Sequence, residues 1–168
     1  KKDIFDVEYW SLEQAKLKKE KKELEGSIVV ITGAFGGIGT ATYKLFKKYG
    51  AEVILIDNNK KKVDEMSKKL NDLCIYCDVT NKESVKKAFN LISSKFGGID
   101  ILISNAGTAT GGSIAEVSDK ILRKSFEDNF FSHQYCASEA TRIMKLQNNE
   151  GCLLFNISKQ SVNPGKNF

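Results

Sequence analysis

A glycine-rich stretch directly after an apolar run is the part of the chain best suited to chemistry. Residues 28–31 are Ile, Val, Val and Ile, and Gly33, Gly37 and Gly39 follow within eight positions. Glycine has no β-carbon, so the backbone can turn sharply here and let an anionic ligand approach closely. A helix that begins at this turn presents free N–H groups and a positive dipole end to that ligand. The stretch therefore predicts a pyrophosphate site, although glycines at this spacing also occur in loops that bind nothing.

A carboxylate occupies the corresponding place after the second apolar run. Residues 53–56 are continuously apolar, as in a parallel strand covered on both faces, and Asp57 follows them. A carboxylate at this position can accept hydrogen bonds from the hydroxyls of a ribose. Residues 40–49, between the two runs, are amphipathic and predict a helix. The apolar face of that helix comprises Ala41, Leu45, Phe46 and Tyr49.

The alternation of apolar runs and amphipathic segments continues along the chain and indicates an α/β fold. We predict further helices over residues 58–70, from a capping box at Thr80-x-x-Glu83 to Phe96, and, with a break, from Ser118 to Lys145. Further strands are predicted over residues 73–77, 99–103 and 152–157. Together the elements predict a three-layer, doubly wound parallel sheet in the strand order 3-2-1-4-5, with ligands at the carboxyl ends of the strands.

Four motifs in this order resemble those of the short-chain dehydrogenase/reductase family. They are the spacing Thr-Gly-x-x-x-Gly-x-Gly, Asp78-Val79 after the third strand, Asn105-Ala106-Gly107 after the fourth, and Ser158 after the fifth. The likeness covers residues 26–168, which we interpret as one NAD(P)-binding Rossmann domain behind a linker of residues 1–25. It implies an oxidoreductase that transfers hydride between a nicotinamide cofactor and an alcohol or carbonyl substrate.

The resemblance also implies which residues bind the cofactor. Asp57 favours NAD over NADP, because its negative charge would repel a 2′-phosphate. The run Lys60-Lys61-Lys62 is interpreted as a solvated helix face, with contact to a 2′-phosphate as the alternative. The expected cofactor-binding residues are Thr32, Gly33, Phe35, Gly36, Gly37, Ile38, Gly39, Asp57, Asn58, Cys77, Asp78, Val79, Asn105, Ala106 and Gly107.

Two further residues match positions that the family uses in catalysis. Asn129 falls in the middle of the long helix among apolar neighbours, where a buried amide needs a partner. Ser158 matches the serine that hydrogen-bonds the substrate oxygen. Many members use the second of two serines, and this chain has Lys159 there, so Ser161 is an alternative, as is a strand-end serine without a catalytic role. His133, the only histidine, is predicted to be a surface residue or a satisfied core residue, with a catalytic role as the alternative.

The family's Tyr-x-x-x-Lys pair is expected a few residues beyond Phe168. In that pair a lysine ammonium lowers the pKa of the tyrosine, which then takes the proton of the alcohol. We therefore expect this chain to be a piece of a longer protein. By itself it would bind the cofactor weakly and would not turn over.

A narrower resemblance is carried by residues 8–17 and 156–165, which look like the dehydrogenase half of bifunctional aldolase/short-chain dehydrogenases. In those proteins an aldolase domain of the rhamnulose-1-phosphate aldolase kind precedes the reductase. The resemblance implies a sugar-derived aldehyde or hydroxy compound as substrate. Residues 8–25 would then form a mostly solvated linker helix, with Tyr9 and Trp10 docked on a neighbour. The alternative is a non-catalytic NAD-binding or scaffolding module attached to an aldolase domain.

Composition argues against several other classes of protein. The 168 residues suffice for one core, and the net charge of +5 comes from 26 basic residues interleaved with 21 acidic ones, which disfavours nucleic acid as a partner. No apolar run is long enough to cross a bilayer and no secretory signal is visible, so we expect a cytoplasmic protein without a membrane partner. Cys74 and Cys77 would point to opposite faces of a strand, which predicts buried free thiols in a reducing compartment, with a metal site or a disulfide as the alternatives. By the resemblance, the long helix predicts a homo-oligomer.

Overall fold

The computed structural model describes residues 22–109, 112–113, 115–159 and 162–163. Most of the predicted linker helix, including Tyr9 and Trp10, lies outside the described residues, as does Ser161. Residues 22–25 belong to a turn instead of the predicted helix, with the N–H of Glu25 donating to the carbonyl of Lys22 at 3.0 Å. The chain thus enters the first strand through a tight turn.

Strands and helices alternate through the described part of the chain. The strands are β1 (Ile28–Thr32), β2 (Glu52–Asp57), β3 (Cys74–Tyr76), β4 (Ile101–Ser104) and β5 (Cys152–Phe155). The helices are α1 (Gly37–Lys48), α2 (Lys60–Lys69), α3 (Lys82–Phe96), α4 (Asp119–Phe126) and α5 (Ser132–Gln147), and a π-helical turn (Glu127–Phe131) joins α4 to α5.

The five strands form one parallel sheet in the order β3-β2-β1-β4-β5, as the sequence predicts. Residues of the central strands are buried on both faces, because helices cover each side. Val30 belongs to the core that α3 and α5 complete with Phe89 and Ile143. Val29 belongs to the core on the other face, against which Phe46 of α1 packs. The carboxyl ends of all five strands therefore lie along one edge.

Helix α1 turns a different face to the sheet from the one predicted. Phe46 packs on the core as expected, but Ala41 is exposed and Leu45 keeps 50% of its surface exposed. Gly39 is buried at the start of the helix, and Tyr43 packs against the sheet. The close approach of Gly39 sets the rotation of the helix, since residues four and seven positions further on share its face.

Helix α3 begins one residue later than the predicted capping box. The cap is Asn81, whose side-chain oxygen accepts the N–H of Ser84 at 2.9 Å. The hydroxyl of Thr80 instead donates to Asp78 Oδ1 at 2.7 Å. An aspartate two residues ahead of the threonine therefore redirects that hydroxyl into a local turn, and the asparagine takes over the capping role.

The long helix with a break is confirmed, but its apolar stripe is not core. Ser118 caps α4 by accepting the N–H of Ile121 at 3.3 Å, and the π-helical turn forms the break. Leu122, Phe126 and Phe130 are 38%, 54% and 57% exposed. This stripe forms an apolar surface on the described part of the molecule.

The cysteines differ in their surroundings. Cys77 and Cys136 are buried, Cys74 is half-buried and Cys152 is exposed, and none of the four forms a disulfide. Burial raises the pKa of the Cys77 and Cys136 thiols. These two buried groups therefore stay protonated at neutral pH and behave as small apolar side chains. In the described ranges no helix is long and apolar enough to span a bilayer.

Candidate nucleotide site at the carboxyl edge of the sheet

The glycines of the first turn have different surroundings. Gly33 has a φ of +61°, and a β-carbon there would lie 2.9 Å from Ala106 Cα. A β-carbon on Gly39 would collide with the carbonyl oxygen of Gly33 and lie 2.8 Å from Ala34 Cα. A β-carbon on Gly37 would meet nothing within 4 Å. Gly33 and Gly39 thus let the backbone close on itself, whereas Gly37 borders open space.

Helix α1 starts beside that open space without a side-chain cap. Its N-cap, Gly36, has no hydroxyl, amide or carboxylate to offer, and the first turn contains no acidic residue. The first N–H groups of a helix have no partner within the helix and carry its positive dipole end. Ile38 leaves 62% of its surface exposed in this turn. The arrangement provides the donors and the room that an anionic group needs.

Asp57 connects the end of β2 to the glycine turn. Its Oδ2 accepts the N–H of Phe35 at 3.0 Å, and its Oδ1 accepts the N–H of Asn59 at 2.9 Å. Each carboxylate oxygen can accept more than one hydrogen bond, so both retain capacity toward a ligand. Asn58 is exposed beside the carboxylate. The structure therefore joins the Asp57 carboxylate to the glycine turn through Phe35.

The segment after β3 contributes mainly backbone. The side chains of Cys77 and Val79 are buried in the core, with exposed fractions of 1% and 8%. Asp78 Oδ1 accepts both the N–H and the hydroxyl of Thr80, at 3.0 and 2.7 Å. A ligand at this edge would therefore contact the backbone of residues 77–79 and the side chain of Asp78. It would not contact the buried side chains of Cys77 and Val79.

The end of β4 is joined to the end of β1 by a compact set of hydrogen bonds. Thr32 Oγ1 accepts the N–H groups of Asn105 and Ala106 at 2.9 and 3.0 Å. In return, Asn105 Nδ2 donates to the carbonyls of Thr32 and Gly33 at 3.0 and 3.2 Å. Thr32 is fully buried. These hydrogen bonds join the glycine turn and the Asn105-Ala106-Gly107 turn into one surface at the edge of the sheet, which we call the floor.

Asn129 lies in the π-helical turn and is exposed, so the predicted burial of this side chain is wrong. Its Oδ1 accepts the N–H of Thr108 at 2.9 Å, and its Nδ2 donates to the carbonyl of Ser125 at 3.1 Å. Thr108 also donates its hydroxyl to Asp128 Oδ2 at 3.0 Å. The side chain therefore fastens the loop after Gly107 to the helix, and its neighbours are polar.

Ser158 is exposed three residues beyond the end of β5. Between them lies Asn156, which the sequence analysis did not single out. Its N–H donates to the carbonyl of Ser104 at 3.0 Å, and its Nδ2 donates to Asn105 Oδ1 at 2.8 Å. A polar residue directly after an apolar strand, as at Asn105, is the signal that would have found it.

His133 is partly buried and satisfied, in agreement with one of its two predicted environments. Its Nδ1 lies 2.6 Å from Ser104 Oγ, and its ring packs edge-on against Phe155 with centroids 5.9 Å apart. Burial lowers the pKa of His133, so the ring is neutral at physiological pH. It lines a groove of about 850 Å³ together with Asn129, Phe130, Phe155 and Ile157. This groove runs along α5 on the side of β5.

The strand order and the glycine turn define a doubly wound α/β protein of the kind that binds nucleotides at the carboxyl ends of its strands. Residues 27–168 match the short chain dehydrogenase family. The chain therefore belongs to this family, whose members are oxidoreductases of alcohols and carbonyl compounds.

Two curated relatives illustrate the match. The chain is 36% identical over 174 residues to the uncharacterised oxidoreductase YuxG of Bacillus subtilis (strain 168), with 98% of this chain and 25% of that protein covered. It is 35% identical to short chain aldehyde dehydrogenase 1 of Euphorbia lathyris, with 84% and 51% covered. The chain thus spans a quarter of the first relative and about half of the second.

Solved structures show the same fold. An NAD⁺-bound xylitol dehydrogenase aligns with a TM-score of 0.79 at 25% identity, covering 87% of this chain and 58% of that one. An NADPH-dependent 3-quinuclidinone reductase from Rhodotorula rubra aligns with a TM-score of 0.73 at 30% identity, covering 83% and 55%. These neighbours include users of either nicotinamide cofactor.

Proposed function

We propose that this chain is the cofactor-binding part of an NAD-dependent oxidoreductase acting on an alcohol or carbonyl compound. The observation that carries the proposal is the open space over Gly37, bounded by the uncapped start of α1 and by the carboxylate of Asp57. The residues fit a dinucleotide: the first N–H groups of α1 would hold its pyrophosphate, and Asp57 would accept from a ribose hydroxyl. When bound, the nicotinamide supplies hydride transfer.

The segments that follow β4 and β5 would face the reacting end of the cofactor. The floor formed by residues 105–107 contains small side chains, so a flat ring can lie close to the backbone. Ser158 would donate a hydrogen bond to the substrate oxygen. Asn129 would hold the loop after Gly107 in place through its bond to Thr108.

Asp57 supports NAD as the cofactor. A 2′-phosphate on the ribose would bring two like charges within a few ångströms of each other, which is unfavourable. Lys62 favours the opposite choice, since its ammonium reaches 3.4 Å from the carbonyl of Phe35 in the same turn. Lys62 is on an exposed helix face, however, and Asp57 is held by two backbone N–H groups. We therefore propose NAD, because the Asp57 carboxylate is held in the glycine turn by these two bonds.

We expect Asp57→Asn to weaken NADH binding by about 10- to 100-fold, the effect of losing a charge-assisted hydrogen bond of about 1.5–3 kcal/mol. Binding of NADPH should improve at the same time, because the repulsion is removed. The measurement is a fluorescence titration of the protein with each reduced cofactor. Asp64→Asn, which removes an exposed carboxylate from α2, is the control for net charge. An unchanged NADH to NADPH preference in Asp57→Asn would contradict the assignment.

We further propose a sugar-derived aldehyde or hydroxy compound as substrate and an aldolase domain ahead of the linker of residues 1–25. Support comes from the likeness of residues 8–17 and 156–165 to bifunctional aldolase/dehydrogenases. The test is nicotinamide absorbance with the intact protein and a panel of glycolaldehyde, glyceraldehyde and xylitol. Turnover supports the enzyme, whereas NADH binding without turnover favours the second candidate, a non-catalytic NAD-binding module. The second candidate is supported by Lys159, which occupies the position of the second of two serines, the one that many family members use.

We also propose an oligomeric state and a cellular location for the whole protein. The exposed stripe of Leu122, Phe126 and Phe130 supports a homo-oligomer, since an apolar surface of this kind is stabilised by burial against a second copy. Sedimentation of the intact protein tests this. The four free thiols fit the reducing cytoplasm, which we propose as the location.

A further inference from the structure

Three polar side chains stand in a row at the carboxyl ends of three neighbouring strands. Thr32 ends β1, Asn105 follows β4 directly, and Asn156 follows β5 directly. The strands are adjacent in the order β1-β4-β5, so the three side chains cross the sheet edge in sequence. Hydrogen bonds join the three residues: Asn105 Nδ2 donates to the backbone carbonyl of Thr32 at 3.0 Å, and Asn156 Nδ2 donates to Asn105 Oδ1 at 2.8 Å.

The direction of each bond in this row is determined by chemistry. The carbonyls of Thr32 and Gly33 can only accept, so the NH₂ group of Asn105 must face them. The oxygen of the same amide then faces Asn156 and can only accept. Asn156 must therefore present its own NH₂ group. A side chain that can only accept at position 156 would place two oxygen atoms against each other.

Asn156 also controls where the chain leaves the sheet. Its N–H makes a β-type hydrogen bond to the carbonyl of Ser104, and Ser158 follows two residues later. The side-chain bond to Asn105 adds a second attachment at the same residue, on the turn that carries the cofactor floor. Two attachments at one residue constrain the direction in which the chain continues toward Ser158 more than a single bond does.

We propose that Asn156 is a positioning residue that sets the location of Ser158 relative to the glycine turn, acting through Asn105. The inference rests on the proposed function, in which Ser158 contacts the substrate and the glycine turn contacts the cofactor. Asn156 itself touches neither. Because Asn105 keeps its own bonds to Thr32 and Gly33, loss of the Asn156 amide leaves the cofactor side of the row in place.

The test uses the intact protein and the panel compound with the highest turnover. We expect Asn156→Asp to lower kcat by about 10- to 100-fold at neutral pH, since displacement of a reacting group by about 1 Å has effects of this size. Affinity for NADH should stay within about twofold of wild type. As the pH falls, the new carboxyl group becomes protonated and can donate to Asn105 Oδ1, so the activity of the variant relative to wild type should rise.

A double-mutant cycle with Ser158→Ala separates positioning from a general structural effect. If Asn156 acts through Ser158, Asn156→Ala should lower kcat by less than about twofold in the Ser158→Ala background, although it is costly in wild type. Equal losses in both backgrounds, or a loss confined to thermal stability and NADH affinity, would overturn the inference. So would wild-type kcat in all Asn156 variants. A wild-type protein that neither binds NADH nor turns over the panel would overturn the proposed function, and this inference with it.

Discussion

Gly37→Ala is expected to leave the fold intact and to weaken NADH binding by at least about tenfold. A β-carbon on Gly37 meets no atom within 4 Å, so the folded chain can accept it without movement. The substitution should raise the free energy of unfolding slightly, by about 0.4–1 kcal/mol, because alanine loses less backbone entropy than glycine. The same methyl group would occupy the space in which a pyrophosphate approaches the start of α1. Lost charge-assisted hydrogen bonds of about 1.5–3 kcal/mol then account for the weaker binding.

Gly39→Ala is the matched contrast in the same turn. Its β-carbon would collide with the backbone of Gly33 and Ala34, which cannot move aside without shifting β1. We expect a loss of about 1–3 kcal/mol in the free energy of unfolding, the range for overpacking a core. Thermal unfolding and NADH fluorescence titration of both variants distinguish the two roles. NADH binding by Gly37→Ala at wild-type affinity would show that the open space is not where the cofactor lies.

Thr32→Val is expected to lower the free energy of unfolding by about 2–4 kcal/mol. The substitution keeps the shape of a fully buried residue but removes the oxygen that accepts the N–H groups of Asn105 and Ala106. Each buried N–H without a partner costs about 1–3 kcal/mol, and valine offers nothing in exchange except a strand-forming side chain. The floor between β1 and β4 should loosen, so NADH affinity should fall as well.

Thr32→Ser is the control, because it keeps the accepting oxygen and removes only a methyl group. Its loss should not exceed about 1 kcal/mol, the value of one buried methyl. Urea unfolding of the two variants measures the difference directly. Equal destabilisation by valine and serine would mean that the methyl group, and not the hydroxyl, holds the two turns together.

The architecture follows from the sequence because the strands are buried on both sides. Continuous apolar runs such as residues 53–56 have no polar face to place in water, so they form inner strands of a parallel sheet. The glycine turn after β1 and the carboxylate after β2 then fall on one edge, since parallel strands all end on the same side. The parallel sheet and the edge on which Asp57 lies could therefore be predicted without coordinates, whereas the strand order came from the doubly wound class of fold.

Details that depend on contacts between different structural elements or turns could not be predicted from the sequence. The rotation of α1 follows from the contact of Gly39 with the backbone of Gly33 and Ala34, and helical periodicity alone does not contain this contact. Asn129 has apolar neighbours in the sequence but polar neighbours in space, because the π-helical turn directs it to Thr108. The place of Asn156 directly after an apolar strand is visible in the sequence, but its bond to Asn105 is not, because that partner lies 51 residues earlier in the chain.

The cap of α3 differs from the predicted one because a nearby residue binds the Thr80 hydroxyl. Thr80-x-x-Glu83 has the spacing of a capping box, yet Asp78 accepts the Thr80 hydroxyl first. Asn81 then caps the helix one residue later. The helix therefore begins one position later than predicted. Its existence and its buried face, with Val85, Phe89 and Ile92, agree with the apolar pattern of the sequence.

A crystal structure of the protein grown with NAD⁺ would show directly where the cofactor binds. We expect pyrophosphate oxygens within hydrogen-bonding distance of the first N–H groups of α1, over Gly37, and a ribose hydroxyl on the carboxylate of Asp57. A nucleotide bound in the groove beside His133 and Phe155, or a glycine turn left empty at saturating NAD⁺, would contradict it.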